Sequence, residues 1–137
     1  AGLLIATLDA LEDNLIEAKP QPTDGVSLAP KIGVDDARIR WDEPFAGVDR
    51  RIRAMTPAPG AWTMLGGERL GVGPVGLSAD GAPKDLAPGQ VVATKSQVWV
   101  GTGSRSALLG QVRPAGKRDM VAADWARGLR GEIGRLG

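Results

Sequence analysis

Glycine and proline limit what this chain can fold into more than any other feature of its sequence. Its 137 residues include 20 Gly and 10 Pro. Glycine weakens helices and strands, and proline removes a backbone N–H donor. A helical bundle is therefore disfavoured, and a fold with many turns and short strands is favoured. The length suits one ordinary domain with an appendage.

Histidine and cysteine are both absent from the sequence. Their absence excludes Ser–His and Cys–His catalysis, imidazole or thiolate zinc sites and disulfides. Adjacent carboxylates occur at Glu12–Asp13, Asp35–Asp36 and Asp42–Glu43, where the favourable electrostatics of a helix start explains them better than catalysis does. We therefore expect neither a catalytic residue nor a metal site in this chain.

No targeting or membrane segment is visible in the sequence. No apolar run approaches the ~18 residues that a membrane span needs, and no basic-then-apolar signal peptide is present. The sequence therefore predicts a cytoplasmic protein with no membrane partner.

Residues 1–19 predict a helix with one apolar stripe, because apolar residues recur there at helical spacing. The stripe consists of Leu4, Leu8, Leu11 and Leu15, and Pro20 and Pro22 end it. The helix cannot bury this stripe by itself, and it begins without Met or an N-cap. We interpret it as the last helix of a preceding domain; the alternative is a native start from which Met has been removed. Residues 20–34 then form a linker, and residues 35–137 form the main domain.

The net charge of +1 hides an asymmetry along the chain. Residues 1–30 hold one Lys against five Asp and Glu, a balance of −4, and the remaining residues hold 16 Lys and Arg against 11 Asp and Glu, a balance of +5. A basic domain behind an acidic leading segment favours a polyanionic partner.

Residues 42–55 predict an amphipathic helix. Asp42 is expected as its N-cap, and Pro44 suits the first turn. The apolar face consists of Phe45, Val48, Ile52 and Met55, and the basic residues on the sides and outer face are Arg50, Arg51 and Arg53. The segment Thr56–Gly60 contains two prolines and ends the helix.

From Ala61 onward the pattern predicts β structure. Gly66-Gly67 is a hairpin turn between predicted strands 62–65 and 68–77, whose glycines indicate bulges or a sharp bend. The remaining predicted elements are a hairpin over 90–100 that turns at Lys95-Ser96, a strand over 107–112, and a closing helix over 122–129 with Asp119 near its cap. Short strands with glycine bends predict a small closed barrel rather than a sandwich.

The arginines of the 42–55 helix form a basic patch that suits either a solvated helix face or a binding site. Further basic residues favour binding, since guanidinium groups fit phosphate oxygens; they are Lys31, Arg38 and Arg40 upstream, and Arg113, Lys117 and Arg118 downstream. The four tryptophans could stack on bases, but a place in the core is the commoner use. Gly71-x-Gly73-x-x-Gly76 matches a dinucleotide-binding motif only by its letters, because it contains Pro74 and opens no helix.

Five segments, taken together and in order, closely resemble the C-terminal part of bacterial methionyl-tRNA formyltransferases. They are VSLAPKI (26–32), DARIRW (36–41), IRAMTPAPGAW (52–62), VRPAGKRDM (112–120) and AADWARG (122–128). The resemblance runs from about Leu3 to Gly131. The sequence departs from the family at Arg40, where an acidic residue is common, and at Ala58, where an aromatic is frequent.

This resemblance implies an OB-like C-terminal barrel with flanking helices that helps to hold methionyl-initiator tRNA in translation initiation. In the family, an N-terminal catalytic domain transfers the formyl group from 10-formyltetrahydrofolate, and its catalytic Asn, His and Asp lie in that domain. None of them maps onto this chain, because it has no His and its one Asn, Asn14, stands in a different context.

The resemblance also assigns roles to parts of this chain. Residues 1–19 correspond to the final helix of the catalytic domain, which is the chain's partner within a full-length enzyme expected to be monomeric. The chain alone is expected to be inactive and to hold no cofactor. The residues that match family motifs and are candidates for contacts to tRNA are Lys31, Arg38, Arg50, Arg51, Arg53, Lys117 and Arg118.

The alternative is the structural barrel of a related 10-formyltetrahydrofolate-dependent hydrolase or sugar formyltransferase, which binds no RNA. The Lys117-Arg118 pair and the arginine-rich helix favour tRNA, since a barrel without RNA has no need of them.

Overall fold

The computed structural model describes residues 2–77, 81–129 and 133–137. It divides the chain into two compact units, Ala1–Lys31 and Ile32–Gly137. No helix of the described residues is long and apolar enough to cross a membrane.

The first unit contains one helix, α1 (Gly2–Glu12), which is shorter than the predicted 1–19. Asn14 ends it in the left-handed conformation with φ of 55°. The N–H of Asn14 donates to the carbonyl of Leu11 and that of Leu15 to Ala10, at 3.1 and 2.8 Å, which is the pattern of a Schellman C-cap. Asparagine tolerates this conformation, so the helix ends well before Pro20.

In the second unit a 3₁₀ turn at Asp35–Ala37 precedes α2 (Phe45–Met55), and α3 (Ala122–Gly128) follows the strands. The predicted apolar face of α2 is confirmed, because Val48 and Ile52 are fully buried and Phe45 and Met55 pack against the core. The predicted N-cap is wrong: Pro44 occupies that position. The Phe45 N–H instead donates to Oγ of Ser104 at 3.0 Å.

In the described part of the chain, the strands form two four-stranded antiparallel sheets, which confirms a mainly β fold with flanking helices. One sheet has the order β1-β2-β7-β8, with β1 Trp62–Leu65, β2 Glu68–Val72, β7 Gln111–Pro114 and β8 Met120–Val121. The other has the order β3-β6-β5-β4, with β3 Val75–Gly76, β4 Val91–Ala93, β5 Val98–Val100 and β6 Ala107–Leu109.

Two strands predicted as continuous are each divided between the sheets. The predicted strand 68–77 is interrupted at Gly73-Pro74, and the predicted strand 107–112 is interrupted at Gly110. Pro74 has no N–H to donate to a ladder, and glycine permits a sharp change of direction. The glycines therefore serve as the bends that the sequence predicts, and each bend moves the chain to the other sheet.

The core lies in the second unit and includes all four tryptophans. Trp41, Trp62, Trp99 and Trp125 are between 2% and 8% exposed, which confirms the core as the place of their side chains. Within this core the indole N–H of Trp41 donates to Oγ1 of Thr63 at 3.0 Å. The indole N–H of Trp41 thus has the partner that a buried polar group requires, whereas the indole N–H of Trp99 is buried without one.

The last described segment connects the two sheets. Gly137 and Met64 exchange backbone hydrogen bonds of 3.1 and 3.2 Å, and the Leu136 N–H donates to the carbonyl of Gly89 at 2.9 Å. Leu136 is 2% exposed. Leu136 and Gly137 thus link the edge of β1 at Met64 with the chain that leads into β4.

Candidate nucleic-acid interface

The outer face of the β1-β2-β7 sheet presents an indole ring with arginines around it. The hairpin turn at Gly66 and Gly67, both with positive φ, places Trp62 opposite Gly71 in the β1–β2 ladder. On the other side of β2, Gly71 lies opposite Arg113 of β7. Because side chains alternate between the faces of a strand, Arg69 lies diagonally beside Trp62 on the same face. A side chain at Gly71 would crowd Arg113, since its Cβ would lie 3.2 Å from that of Arg113.

Two guanidinium groups contact the Trp62 ring. The Cζ atom of Arg69 lies 4.0 Å from the ring centroid, and that of Arg38 lies 5.6 Å from it. Both distances are within the range of cation–π attraction. The indole N–H donates to the carbonyl of Val34 at 2.7 Å, which fixes the orientation of the ring and hence the positions of both cations.

A groove of about 480 Å³ runs beside this ring. The two glycines Gly71 and Gly73 form its floor, since neither contributes a side chain to the sheet surface. The proline turn Thr56–Gly60 forms one wall, and the β7–β8 loop with Lys117 forms the other. The sequence therefore makes a depression by placing one glycine within β2 and another directly after it, between two loops.

Among the residues that the structure describes, three cations and one anion line the groove: Arg69, Arg113, Lys117 and Asp119. Arg113 forms a two-pronged ion pair with Asp119, with both nitrogen–oxygen distances 2.7 Å. The hydrogen bond from Arg113 lowers the pKa of the Asp119 carboxyl, and the same bond raises the pKa of Arg113. The N-cap of α3 is Val121, so Asp119, which the sequence predicts near that cap, pairs with Arg113 and does not cap the helix. Within the described ranges, Arg69 and Lys117 form no ion pair closer than 4.0 Å.

The three predicted arginines of α2 have different surroundings. Arg51 donates to the carbonyl of Asp36 at 3.1 Å and to the carboxylate of Glu43 at 3.2 Å, and its side chain is only 24% exposed. Arg53 pairs with Asp49 at 3.0 Å and stays 60% exposed. Arg50 is exposed, and no ion pair to it occurs in the part of the chain that the structure describes.

The other residues predicted to contact tRNA, which are Lys31, Arg38, Lys117 and Arg118, are all exposed. The structure brings Arg38 beside Trp62 and Lys117 onto the groove wall, with Arg118 next to it in the same loop. Lys31 belongs to the first unit. Arg69 is the residue that the sequence analysis missed. Its signal in the sequence was the hairpin at Gly66-Gly67, whose register places Trp62 opposite Gly71 and therefore Arg69 on the same face of the sheet.

Comparison with known proteins identifies the family. Residues 31–130 match the family described as the C-terminal domain of formyl transferases. The chain is 58% identical over 130 residues to a methionyl-tRNA formyltransferase of Mycolicibacterium vanbaalenii, covering 95% of this chain and 42% of that protein. It is 54% identical over 136 residues to that of Salinispora arenicola, covering 99% of this chain and 44% of that protein. The chain thus spans less than half the length of the curated relatives it matches, and the resemblance inferred from the five segments is confirmed.

Solved structures with the same fold include HypX of Aquifex aeolicus. One crystal structure of a HypX variant aligns with a TM-score of 0.60 at 21% identity, covering 95% of this chain and 24% of HypX. Another, of HypX in complex with tetrahydrofolic acid, aligns with a TM-score of 0.59 at 19% identity, covering 98% of this chain and 26% of HypX. At this identity the likeness concerns the fold alone.

Proposed function

This chain belongs to the family of formyl transferase C-terminal domains, and from that premise we propose that it is the tRNA-binding C-terminal part of a methionyl-tRNA formyltransferase. The observation that carries the proposal is its 54–59% identity, over at least 95% of its length, to relatives of that name.

The full-length protein in this proposal is a cytoplasmic transferase of translation initiation. It moves a formyl group from 10-formyltetrahydrofolate to methionyl-initiator tRNA. The chemistry and the folate belong to the N-terminal domain, since this chain has no His and its one Asn stands in the turn that ends α1. We therefore expect no formylation by this chain alone. The full-length enzyme is proposed to act as a monomer.

The second unit would hold tRNA through exposed cations that contact phosphate. Guanidinium and ammonium groups neutralise phosphates, and such contacts position a nucleic acid without reading its sequence. The predicted contacts that are exposed in the second unit are Arg38, Arg50, Arg53, Lys117 and Arg118, of which Arg53 is also paired with Asp49; Lys31 is a separate candidate in the first unit. Arg51 supports this surface from below, because its contacts to Asp36 and Glu43 hold α2 against the 3₁₀ turn.

The second candidate is a domain of the same fold that binds no RNA, as in a related hydrolase or sugar formyltransferase. The exposed cations argue against it: Arg50, Arg118 and Lys117 form no ion pair in the ranges the structure describes. A purely structural barrel would gain nothing from them.

The test is a salt series with methionyl-initiator tRNA and the purified chain. The logarithm of the binding constant should fall linearly with the logarithm of salt concentration, by roughly 0.7–0.9 for each neutralised phosphate. The triple variant Arg50→Ala, Arg53→Ala and Arg118→Ala should reduce this slope by about two.

A matched control removes the same kind of charge elsewhere. Lys84 and Lys95 are exposed and lie outside the proposed contacts, so the double variant Lys84→Ala and Lys95→Ala should keep the slope. A slope near zero for the unmodified chain, or an equal loss in the control, would refute the assignment.

A further inference from the structure

The groove floored by Gly71 and Gly73 has the dimensions and the charges of a ligand site. We propose that it holds one unpaired nucleotide of RNA, with the base stacked on the Arg69 guanidinium and the phosphate bound by Lys117. Ligand pockets in proteins have volumes of roughly 300–1,000 Å³. The groove, at about 480 Å³, is within that range.

Arg69 is positioned for stacking before any ligand arrives. Its guanidinium lies against the Trp62 ring at 4.0 Å, and the ring is held by its hydrogen bond to Val34. Arg69 is nevertheless exposed and lines the groove. A planar guanidinium is a platform on which an unstacked RNA base can lie. Since Trp62 already orders one face of Arg69, little conformational entropy remains to be lost on binding.

The apolar parts of the groove favour a nucleotide over a bare phosphate ion. Pro57 and Pro59 are exposed and line the wall opposite the β7–β8 loop, where they offer apolar surface to a base or a ribose. Stacking of this kind tolerates any base, because every base has a π face. The site would therefore select an unpaired nucleotide without selecting its identity.

Asp119 limits how tightly the groove binds the phosphate of the nucleotide. It holds Arg113 through both oxygens, and the hydrogen bond from Arg113 lowers the pKa of its carboxyl. An arriving phosphate therefore competes with Asp119 for Arg113, while Lys117 is available from the start. Removal of the Asp119 charge should strengthen binding, whereas removal of either free cation should weaken it.

The experiment measures binding of a fluorescent five-nucleotide oligoadenylate and of a blunt RNA duplex to the whole chain. Arg69→Ala should weaken oligoadenylate binding by about tenfold. Arg69→Lys keeps the charge but loses the plane, so it should weaken binding nearly as much. Asp119→Asn should strengthen binding several-fold. The control Lys95→Ala removes an exposed charge on the other sheet and should change nothing.

The inference rests on the proposed function in taking RNA as the ligand, and the two can fail separately. Wild-type affinity in Arg69→Lys, oligoadenylate bound no tighter than the duplex, or equal competition by pentaglutamate at the same ionic strength would each overturn the nucleotide site. If initiator tRNA still binds with the expected salt dependence in such a case, the proposed function stands. If oligoadenylate binds as predicted but initiator tRNA does not, the nucleotide site is supported and the proposed function is refuted.

Discussion

Trp62 shows how one side chain can serve the core and the surface together. Its ring is 8% exposed, so it contributes to packing as a buried tryptophan does. Its N–H holds the chain at Val34, and its face supports Arg38 and Arg69. Substitution of Trp62 would therefore confuse folding with binding, which is why the arginines are the better positions to vary.

Arg50 and Arg51 are neighbours whose substitutions should affect different properties: Arg51→Ala the stability, and Arg50→Ala the binding of tRNA. Arg51→Ala removes hydrogen bonds to Asp36 and Glu43 and should lower the free energy of unfolding by about 1–2 kcal/mol. Its Nε is buried without a partner, which offsets part of that loss. Arg50→Ala should change stability by less than about 0.5 kcal/mol but weaken tRNA binding. Urea denaturation and the salt series measure the two effects, and a reversed pattern would contradict the assigned roles.

The sequence predicts that this helix has three outward arginines but not which of them is committed internally. Helical periodicity assigns each side chain to a face from local spacing alone. One partner, Glu43, lies 8 residues away just before α2, and the other, Asp36, lies 15 residues away in the 3₁₀ turn, which only the folded chain brings near α2. Likewise, Arg113 and Asp119 both appear in the sequence as free charges, and the β7–β8 turn makes them a pair.

At the scale of elements, α2 receives its cap from a loop far along the chain. Ser104, 59 residues from Phe45, accepts the hydrogen bond of the Phe45 N–H. Because Ser104→Ala removes this bond, it should lower the free energy of unfolding by about 1 kcal/mol. Asp42→Ala should cost less, about 0.5 kcal/mol, because Asp42 contributes only a charge near the helix start. Thermal denaturation of both variants, beside the exposed Ser96→Ala as control, measures the difference. A larger loss of stability in Asp42→Ala than in Ser104→Ala would mean that Asp42 caps the helix, as the sequence predicts.

Hairpins and helix faces were predictable from sequence, whereas the division into two sheets was not. The Gly66-Gly67 turn and the strands on either side depend on neighbouring residues, and the structure confirms them. The changes of sheet at Gly73-Pro74 and Gly110 depend on which distant strand supplies the next hydrogen bonds. For example, the Gly73 N–H donates to Gln111 at 2.9 Å. Glycine marks where the chain can bend, but not where it goes afterwards.

At the scale of the whole chain, the two units differ in how they are stabilised. All of the buried residues that the structure describes lie between Ala37 and Leu136, and α1 buries none of its residues. Its leucines are 45–84% exposed. Burial of apolar surface is the main source of stability in a small domain, so the second unit should owe its stability to its own core.

Deletion of residues 1–31 should therefore leave a folded domain whose Tm is within about 2 °C of that of the full chain. The control is the full chain with Leu4→Ser and Leu8→Ser, which makes the exposed stripe of α1 polar and should leave the Tm equally unchanged. Circular dichroism and calorimetry measure both. A Tm lowered by more than about 5 °C in the deletion alone would mean that the linker stabilises the second unit. The same loss in both variants would mean that the leucine stripe does so, and the domain boundary would then have to include the helix.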